Sequence, residues 1–525
     1  MNKSYYELMD EITKEELLEG LVGYGLFHES IPPILTSKPF YDFCQNLNNE
    51  AFFETIKERK FIQYESMRNI SIPRVLAIPH PMAYWNLCNV LSQSWEEIKE
   101  RFKEKTENNP FKISRIHIRK LKNEDRLFKM SYKNFQVDSS PEFDLSIGKK
   151  YLVKADISNC FPSFYTHSIP WALVGKDIAK QNKNSNNLYY NKIDKFARNL
   201  KDAETHGILI GPDASNILSE IILTSIDNIM TSDGFYYIRN IDDYAFYAQS
   251  YEEAEKFLLS LAATLKEFSL SLNYKKTEIL PLPLASNEHW ITRLNSLILP
   301  DKLNFKEVRI YLDIAIELMQ CSGDNLAVIN YVTKTLANKK MTINAKEFYV
   351  KRIHHLVLLY PYLVRILEKD IFLAHEIEQK DIKSIADNLF KIASANRQYE
   401  AVSYAIYFAI KNNFKLNAEQ KLYNFAEESN DCIFMLLAYL YDKKFSVGKA
   451  MEYKDLAKSF IVVTTNQNNQ NKKKINIDEF WLFIYEALSL SDLYENLLPS
   501  DLENEAEWKT LKENDISFLK PEFRN

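Results

Sequence analysis

Three aspartates stand where short β-rich runs end. Asp242 and Asp243 form the only Asp-Asp pair of the chain, between β-rich runs at residues 236–239 and 244–248. Two strands joined by so short a turn form a β-hairpin with both carboxylates at its tip. Adjacent like charges there lower stability unless a cation neutralises them. An ordinary turn explains the same pair, because Asp is a favoured turn residue.

Asp156 ends a further β-rich run, residues 150–155, so its carboxylate leaves the carboxyl end of a strand. If that strand lies beside the hairpin, Asp156, Asp242 and Asp243 converge. Carboxylate oxygens suit Mg²⁺ or Mn²⁺, and two such ions about 4 Å apart serve in-line displacement at phosphorus. We therefore expect these three residues to be metal ligands and the catalytic carboxylates of a nucleotidyltransferase.

A glycine-bearing loop, residues 207–216, lies between these segments and precedes an apolar helical run. Glycines before a helix let the backbone approach a ligand closely. An ordinary loop-to-helix junction fits the loop equally well when it is considered alone.

The elements that must position these residues belong to a mixed first half. Thirteen of the 17 prolines and eight of the ten glycines precede Pro300. The runs at residues 150–155 and 235–238 predict strands, whereas residues 251–268 place apolar side chains on one helical face. We expect an α+β domain over residues 1–295.

The remainder of the chain has a different composition. Residues 301–498 hold one proline and two glycines, and apolar residues recur there at helical spacing. This pattern predicts an all-α domain over residues 296–525. The array could be HEAT-like, although no repeat is exact enough to name a solenoid class.

Composition excludes several protein classes. No apolar run approaches the roughly 18 residues that span a bilayer, and the start lacks the apolar core of a secretory signal. The five cysteines are scattered and never form a CxxC pair, which argues against a disulfide framework or a zinc site. We expect a cytoplasmic protein with no membrane partner.

Charge is uneven along the chain. The net charge is −5, which does not indicate a nucleic-acid binder. Residues 99–133 nevertheless hold twelve Lys or Arg against five Asp or Glu. Such a stretch is either a solvated face or, beside a polymerase site, a track for phosphates.

In chain order, these segments resemble reverse transcriptase motifs. Residues 156–161 resemble motif A, the 207–216 loop resembles motif B, and residues 240–243 resemble the YxDD turn of motif C. Residues 272–277 resemble the LNxxKT of motif D, and residues 74–81 the fingers motif RxxxIPxP. The resemblance covers about residues 60–295 and implies a reverse-transcriptase-like fingers and palm.

The resemblance also implies roles for single residues. Phe161 matches the steric gate that excludes a ribose 2′-OH and so favours dNTPs, and Arg74 matches a triphosphate-binding arginine. Gly211 and Ser215 match nucleotide-contacting positions. Lys276 matches the lysine that protonates the leaving pyrophosphate. The alternatives are a core phenylalanine and solvated cations.

A narrower resemblance joins residues 164–171 and 205–207 to the bacterial abortive-infection (Abi) reverse-transcriptase-like polymerases. Those phage-defence proteins carry a helical domain behind the polymerase domain. The resemblance implies template-independent DNA synthesis from dNTPs, primed by a protein side chain, with the single-stranded DNA product attached covalently. It also implies a homo-oligomer.

Two departures and one choice remain. Asn240 replaces the usual Tyr or Phe of motif C, and Ile210 replaces the Gln of templated enzymes, which is compatible with untemplated synthesis. The priming hydroxyl is open among 31 tyrosines; the candidates Tyr5, Tyr6 and Tyr41 lie in N-terminal segments that could be mobile, and a packing role is the alternative for each of them. Alternatives are an RNA-templated reverse transcriptase and a non-catalytic helical interaction protein with a relic palm.

Overall fold

The structure is a computed structural model that describes residues 3–47, 58–68, 72–121, 126–131, 141–284, 289–417, 421–461, 477–496 and 502–524. Strands occur mainly before residue 300, and helices dominate the rest, so the expected α+β class with a helical C-terminal region is confirmed. Across the described residues, no helix is both long and apolar enough to cross a bilayer.

The strands are β1 (Phe61–Ser66), β2 (Arg74–Pro79), β3 (His117–Lys120), β4 (Phe128–Ser131), β5 (Tyr151–Asp156), β6 (Ile238–Asn240), β7 (Asp243–Ala248), β8 (Glu278–Pro281), β9 (Lys302–Leu303) and β10 (Lys340–Met341). The helices of the first half are α1 (Tyr5–Asp10), α2 (Lys14–Glu19), α3 (Lys38–Asn46), α4 (Pro81–Gln93), α5 (Trp95–Thr106), α6 (Pro141–Ser146), α7 (Cys160–Ser163), α8 (Ser168–Val174), α9 (Lys176–Gln181), α10 (Tyr189–Asn199), α11 (Asp213–Ser232), α12 (Tyr251–Glu267) and α13 (His289–Asn295).

The helices of the second half are α14 (Phe305–Cys321), α15 (Ala327–Ala337), α16 (Ile343–Leu359), α17 (Gln379–Ala395), α18 (Tyr399–Lys411), α19 (Leu422–Ser429), α20 (Cys432–Phe445), α21 (Ala450–Ser459), α22 (Trp481–Ala487), α23 (Leu490–Asn496) and α24 (Leu502–Glu513). Short 3-10 or π turns occupy Gly20–Tyr24, Pro361–Ile366, Leu367–Leu373, Ile477–Phe480 and Pro521–Phe523.

A four-stranded antiparallel sheet with the order β6-β7-β5-β8 lies at the centre of the first half. Burial alternates along β7, because successive side chains of a strand point to opposite faces. In the β5–β7 ladder, Tyr151 pairs with Ala248 and Asp156 pairs with Asp243. The ladder therefore carries the end of β5 to the hairpin between β6 and β7.

Helix α11 packs against α5, α8 and α12. It is buried around most of its circumference, and its buried residues include Ser, Thr, Glu and Asp as well as apolar side chains. The ring of Phe257 in α12 stacks on Phe246 of β7 with centroids 4.3 Å apart. These contacts make the sheet and the two helices one core.

The strand expected over residues 235–238 begins only at Ile238. The expectation is wrong for residues 235–237, because this stretch closes the end of α11. The backbone N–H of Phe235 donates to the carbonyl of Met230 at 3.0 Å and is not available to a ladder. The ring of Tyr237 packs against helix α12 instead.

The helical half is hydrogen-bonded to the β1–β2 hairpin of the first half. Arg365 donates to the Ser66 hydroxyl at 2.7 Å and to the Met67 carbonyl at 2.8 Å. Glu400, whose side chain is fully buried, accepts from the Met67 N–H and pairs with Arg365 at 2.9 Å. Both polar groups of Met67 are thus satisfied by the helical half.

The end of the chain returns to its beginning. The Thr36 N–H donates to the Phe518 carbonyl and the Lys520 N–H donates to the Ile34 carbonyl, both at 2.8 Å. This is an antiparallel pairing of segments almost five hundred residues apart, with Leu35 facing Leu519. The last described segment therefore packs on the N-terminal one.

We expect Glu400→Ala to lower the free energy of unfolding by about 3–5 kcal/mol, because it leaves Arg365 and the Met67 N–H without their buried partner. Urea denaturation followed by circular dichroism measures the change. The matched control is Glu347→Ala, which removes an exposed ion pair with Lys351 and should cost about 0.5 kcal/mol or less. Equal losses in both variants would contradict the buried pair.

Candidate active site

The hairpin between β6 and β7 has a two-residue turn, Ile241 and Asp242, and Asn240 pairs with Asp243 across it. Ile241 has φ +54°. This left-handed region is uncommon for any residue other than glycine and is a true outlier for a β-branched one. Such a conformation persists only where its surroundings hold it.

Both carbonyl groups of the turn are held by hydrogen bonds. Arg239 Nη1 donates to the Ile241 carbonyl at 3.0 Å. The Ile157 N–H, which follows β5, donates to the Asp242 carbonyl at 3.1 Å. These bonds fix the peptide planes on either side of Asp242 and hence the direction in which its side chain leaves the turn.

The structure brings Asp156, Asp242 and Asp243 together. Partial desolvation, followed by the charges of Asp242 and Asp156, raises the pKa of Asp243 to about 6, although its side chain still touches solvent. Desolvation and the charge of Asp156 also raise the pKa of Asp242. The positive charges of Lys276 and Arg74 lower this pKa and offset part of the rise. The three carboxyl groups therefore repel one another when ionised, as expected of a cation site.

The carboxylate of Asp156, only 5% exposed, is held by two side chains from the motif D segment. Asn273 Nδ2 donates to Oδ1 and Lys276 Nζ donates to Oδ2, both at 2.9 Å. The bond to Asp156 raises the pKa of Lys276, so its ammonium keeps the proton. Asn273 lies within the motif D string but was not among the residues expected to take part.

The oxygen-only donor set has the chemistry that a hard divalent cation requires. Among the described residues, however, no three His, Cys, Asp or Glu side chains already stand at metal-ligand spacing. At Asp156, the Lys276 ammonium occupies Oδ2. The three carboxylates are ligands of the type that a divalent cation binds, and they lie close together. A bound cation would replace the Lys276 ammonium at Asp156.

The motif B loop contacts the strand that begins at Arg74. The Ala77 N–H donates to the Ile210 carbonyl at 2.7 Å, and Gly211 has φ +127°. A Cβ at Gly211 would stand 3.1 Å from the Ala77 carbonyl oxygen, so both its backbone angle and the space require glycine. Arg74 itself is exposed and acts electrostatically on Asp242.

Phe161 and Ser215 are placed less directly. Phe161 lies in α7, is half-buried, and its ring meets that of Phe164 edge-on with centroids 6.1 Å apart. Its carbonyl accepts from the Ile208 N–H at 2.9 Å, which joins motif A to motif B. Ser215 lies in the first turn of α11 and is 3% exposed, so its hydroxyl is not presented to solvent.

The candidate priming tyrosines lie in helices near the start of the chain. Tyr5 and Tyr6 belong to α1 and Tyr41 to α3. Tyr5 is 5% exposed and Tyr41 is 8% exposed, because both rings pack into the core. Tyr6 is half-buried, with Lys103 Nζ 5.7 Å from its ring centroid.

Comparisons with known proteins agree with the geometry. Residues 110–294 match the family profile described as reverse transcriptase (RNA-dependent DNA polymerase). This chain carries a reverse transcriptase domain. The matched segment holds all three carboxylates, the motif B loop and Lys276, and it leaves Arg74 outside. The match to this domain supports a nucleotidyltransferase activity of the polymerase kind.

Two solved structures show a distant likeness. One is apo telomerase from Candida tropicalis, truncated from its C-terminal domain, with a TM-score of 0.28 and 12% identity over 43% of this chain. The other is telomerase from Candida albicans in complex with a TWJ fragment of telomeric RNA, with a TM-score of 0.29 and 11% identity over 79% of this chain. This chain spans 51% and 68% of their lengths. Among curated proteins, none matches the chain.

The reverse transcriptase domain is braced from behind the hairpin by a buried charge network. Arg239 is 0% exposed and lies between two carboxylates of α11. It pairs with Asp227 at 2.7 Å and with Glu220 at 2.9 Å. Tyr237 donates to Asp227 at 2.7 Å, and Ser114 donates to Glu220 at 3.0 Å. Every charge in the network thus has a buried partner.

None of these braces was expected from the sequence, yet a signal existed. Glu220 and Asp227 are seven residues apart on a helix that is largely buried, so they lie on one face. Two acids on a buried helix require buried cationic partners. Arg239 directly follows the apolar run at residues 235–238 and was the available candidate.

The basic stretch at residues 99–133 is engaged by acids in the structure. Lys120 pairs with Glu16 at 2.6 Å and Lys129 with Glu29 at 3.2 Å. Residues 122–125 and 132–133 lie outside the described ranges. These ion pairs neutralise part of the surplus that a phosphate track would need.

We expect Arg239→Met to lower the free energy of unfolding by at least about 3–5 kcal/mol, because it leaves Glu220 and Asp227 as uncompensated buried charges. The control Arg309→Met removes an exposed guanidinium from an i,i+4 pair and should stay within about 0.5 kcal/mol. Urea denaturation measures both. A small loss in Arg239→Met would show that the brace contributes little.

In EDTA near neutral pH, we expect Asp243→Asn to raise the thermal unfolding midpoint. A carboxyl whose pKa rises from 3.8 to about 6 on folding holds its proton more tightly when folded, so its ionisation lowers stability. The gain should therefore shrink as the pH falls from about 6 towards 4. Added Mg²⁺ should raise the midpoint of the parent more than that of the variant. Differential scanning fluorimetry checks this, and a gain that is independent of pH would contradict it.

Proposed function

We propose that this protein synthesises DNA from dNTPs without a template, starting from one of its own side chains, as the abortive-infection polymerases that it resembles do in phage defence. The observation that carries the proposal is the pairing of Asp156 with Asp243 beside Asp242, within a reverse transcriptase domain. The same resemblance supports a cytoplasmic homo-oligomer whose single-stranded product stays attached to the protein.

The residues of the site divide the work of nucleotidyl transfer. Asp156, Asp242 and Asp243 would hold Mg²⁺ or Mn²⁺ through their carboxylate oxygens, and such a cation would supply positive charge for an in-line displacement at phosphorus. Lys276, protonated and 65% exposed, can carry a proton to the departing pyrophosphate oxygen. Arg74, exposed near Asp242, is suited to the triphosphate.

Two features support dNTPs and untemplated synthesis. The Phe161 ring follows Asp156 by five residues and is fixed by its edge-on contact with Phe164, as a steric gate must be. Ile210 contributes only a carbonyl bond to Ala77, and its apolar side chain packs on the core. A side chain without polar atoms cannot hydrogen-bond a template or primer as the usual Gln would.

The second candidate is an RNA-templated reverse transcriptase. The description of the matching family, RNA-dependent DNA polymerase, favours it. Both candidates share the carboxylates and differ in the source of the primer and in the need for a template. The non-catalytic alternative gains no support from a site whose three carboxylates are intact.

Burial ranks the candidate priming tyrosines. The Tyr5 hydroxyl donates to Glu220 at 3.4 Å, and burial together with that carboxylate raises its pKa well above the usual range. Deprotonating it as a nucleophile is therefore costly. Tyr6 has the most accessible ring of the three, whereas Tyr41 packs in the core. We place Tyr6 first among them.

The decisive experiment incubates the purified full chain with Mg²⁺ and radiolabelled dNTPs, with no nucleic acid added. We expect label that migrates with the protein on a denaturing gel and is released by protease. Asp242→Asn, which removes one ligand charge, should lower the rate by about a thousandfold. Labelling that requires added template and primer would overturn untemplated priming and favour the second candidate.

A further inference from the structure

Four ring side chains gather where the segment after α7 meets the stretch before the motif B loop. The Tyr165 ring lies 4.9 Å from His167, 5.6 Å from Trp171 and 5.4 Å from His206, centroid to centroid. We call these four residues the ring cluster. Tyr165 is its centre, because it contacts each of the other three.

The ring cluster reaches the surface. Five of the six tryptophans in the chain are buried, with exposures between 1% and 8%, whereas Trp171 is half-buried and His206 is exposed. Lys176 Nζ stands 4.5 Å from the centroid of the Trp171 ring. Accessible rings beside ammonium groups are the combination on which nucleobases stack while phosphates are neutralised.

The rings are held in place before any ligand arrives. His167 Nδ1 lies 2.8 Å from Asp194 Oδ2, which fixes the imidazole on α10. Tyr165 and His206 face each other across an antiparallel bridge. A surface whose side chains are already ordered loses less entropy when it binds.

The helices next to the ring cluster are basic, and only part of this charge is paired, Arg198 with Asp194 and Lys201 with Glu204. Residues 176–201 hold seven Lys or Arg against two Asp or Glu, in a chain of net charge −5. Lys180, Lys183 and Lys195 are exposed and, within the described part of the chain, have no carboxylate partner. A larger part of the basic stretch at residues 99–133 is paired, for example Lys120 with Glu16 and Lys129 with Glu29.

The ring cluster adjoins the carboxylate site through the backbone. Tyr165 follows Phe161 by four residues, so their Cα atoms are at most about 14 Å apart. The Gly207 N–H, next to His206, donates to the Phe164 carbonyl at 2.6 Å. A nucleic-acid strand that leaves or enters the site beside Phe161 would therefore reach the ring cluster within a few nucleotides.

We propose that the ring cluster, together with the lysines of α9 and α10, is a binding surface for single-stranded nucleic acid. Bases stack on Tyr165 and Trp171, and the phosphates lie against the lysines. Every base has a ring face, so this surface reads a single strand without reading its sequence. Its use as the path of the strand at the carboxylates rests on the proposed function, whereas binding itself does not.

Trp171 provides the test, because it is the one tryptophan of the chain that is not buried. The full chain is titrated in EDTA, without dNTPs, with an oligothymidylate of about 20 nucleotides, longer than the roughly 4–16 nucleotides that one small domain covers. We expect quenching of tryptophan fluorescence, protection from acrylamide and binding that weakens steeply with salt. Duplex DNA of the same length should quench far less.

Variants separate stacking from packing. In fluorescence anisotropy with a labelled strand, Tyr165→Leu and Trp171→Leu should weaken binding by about tenfold, whereas Tyr165→Phe keeps a ring and should bind like the parent. The control is Tyr251→Leu, which removes an exposed ring at the first residue of α12. At the other end of this helix, Lys176 of the proposed surface donates to the Glu267 carbonyl. The two ends of α12 are about 24 Å apart, so the control lies away from the surface.

The outcomes distinguish this surface from the chemistry. No quenching in the parent, equal quenching by duplex, or leucine variants that bind like Tyr251→Leu would each overturn it. Asp242→Asn should bind the strand as the parent does, so a failure of polymerisation would leave the surface standing. Tighter binding of oligothymidylate than of oligouridylate supports a path for a DNA product, and the reverse supports an RNA template.

Discussion

The guanidinium of Arg239 joins the sheet, the buried helix α11 and the carboxylate turn. It is fully buried, and its donors go to Glu220, to Asp227 and to the carbonyl of Ile241. A desolvated charge is tolerated only when all of its partners are present, so the network forms completely or fails. Ile241 can keep its positive φ because this network holds the turn. The position of Asp242, the next residue of the turn, depends on the same network.

The same helix carries the constraint towards the fingers and the helical half. At its start, the Ala214 N–H donates to the Tyr84 hydroxyl at 3.3 Å, and that hydroxyl donates to the Gly25 carbonyl at 3.1 Å. The motif B loop just before it bonds to β2, whose partner β1 is held by Arg365 and Glu400. Hairpin, loop, fingers and helical half are therefore connected by satisfied polar groups, so a displaced element would leave some of them unpaired.

Local patterns predicted the hairpin and the end of β5, because strand periodicity and turn length are encoded in adjacent residues. They failed at residues 235–237, where the closing of a helix uses the backbone groups that a strand would need. They could not show Asn273 on Asp156, nor the pairing of Leu35 with Leu519, because contacts between distant segments have no local period. The Arg239 network is an intermediate case. Two acids on a buried helix indicate that a buried cation must pair with them, but the helix sequence does not show which residue supplies it.

The site also shows how a buried carboxylate of an acidic cluster is neutralised within the protein. Asp156 is buried and would be costly as a lone charge, and Lys276 supplies the opposite charge from a side chain that is 65% exposed. Exchange of this ammonium for the proposed cation would cost little, because an exposed ammonium on a flexible stem is well solvated both at the carboxylate and away from it. Asn273, bonded to the other oxygen, would keep Asp156 oriented during that exchange. A neutral amide for orientation and an exposed ammonium for charge are suited to a carboxylate that takes the proposed cation.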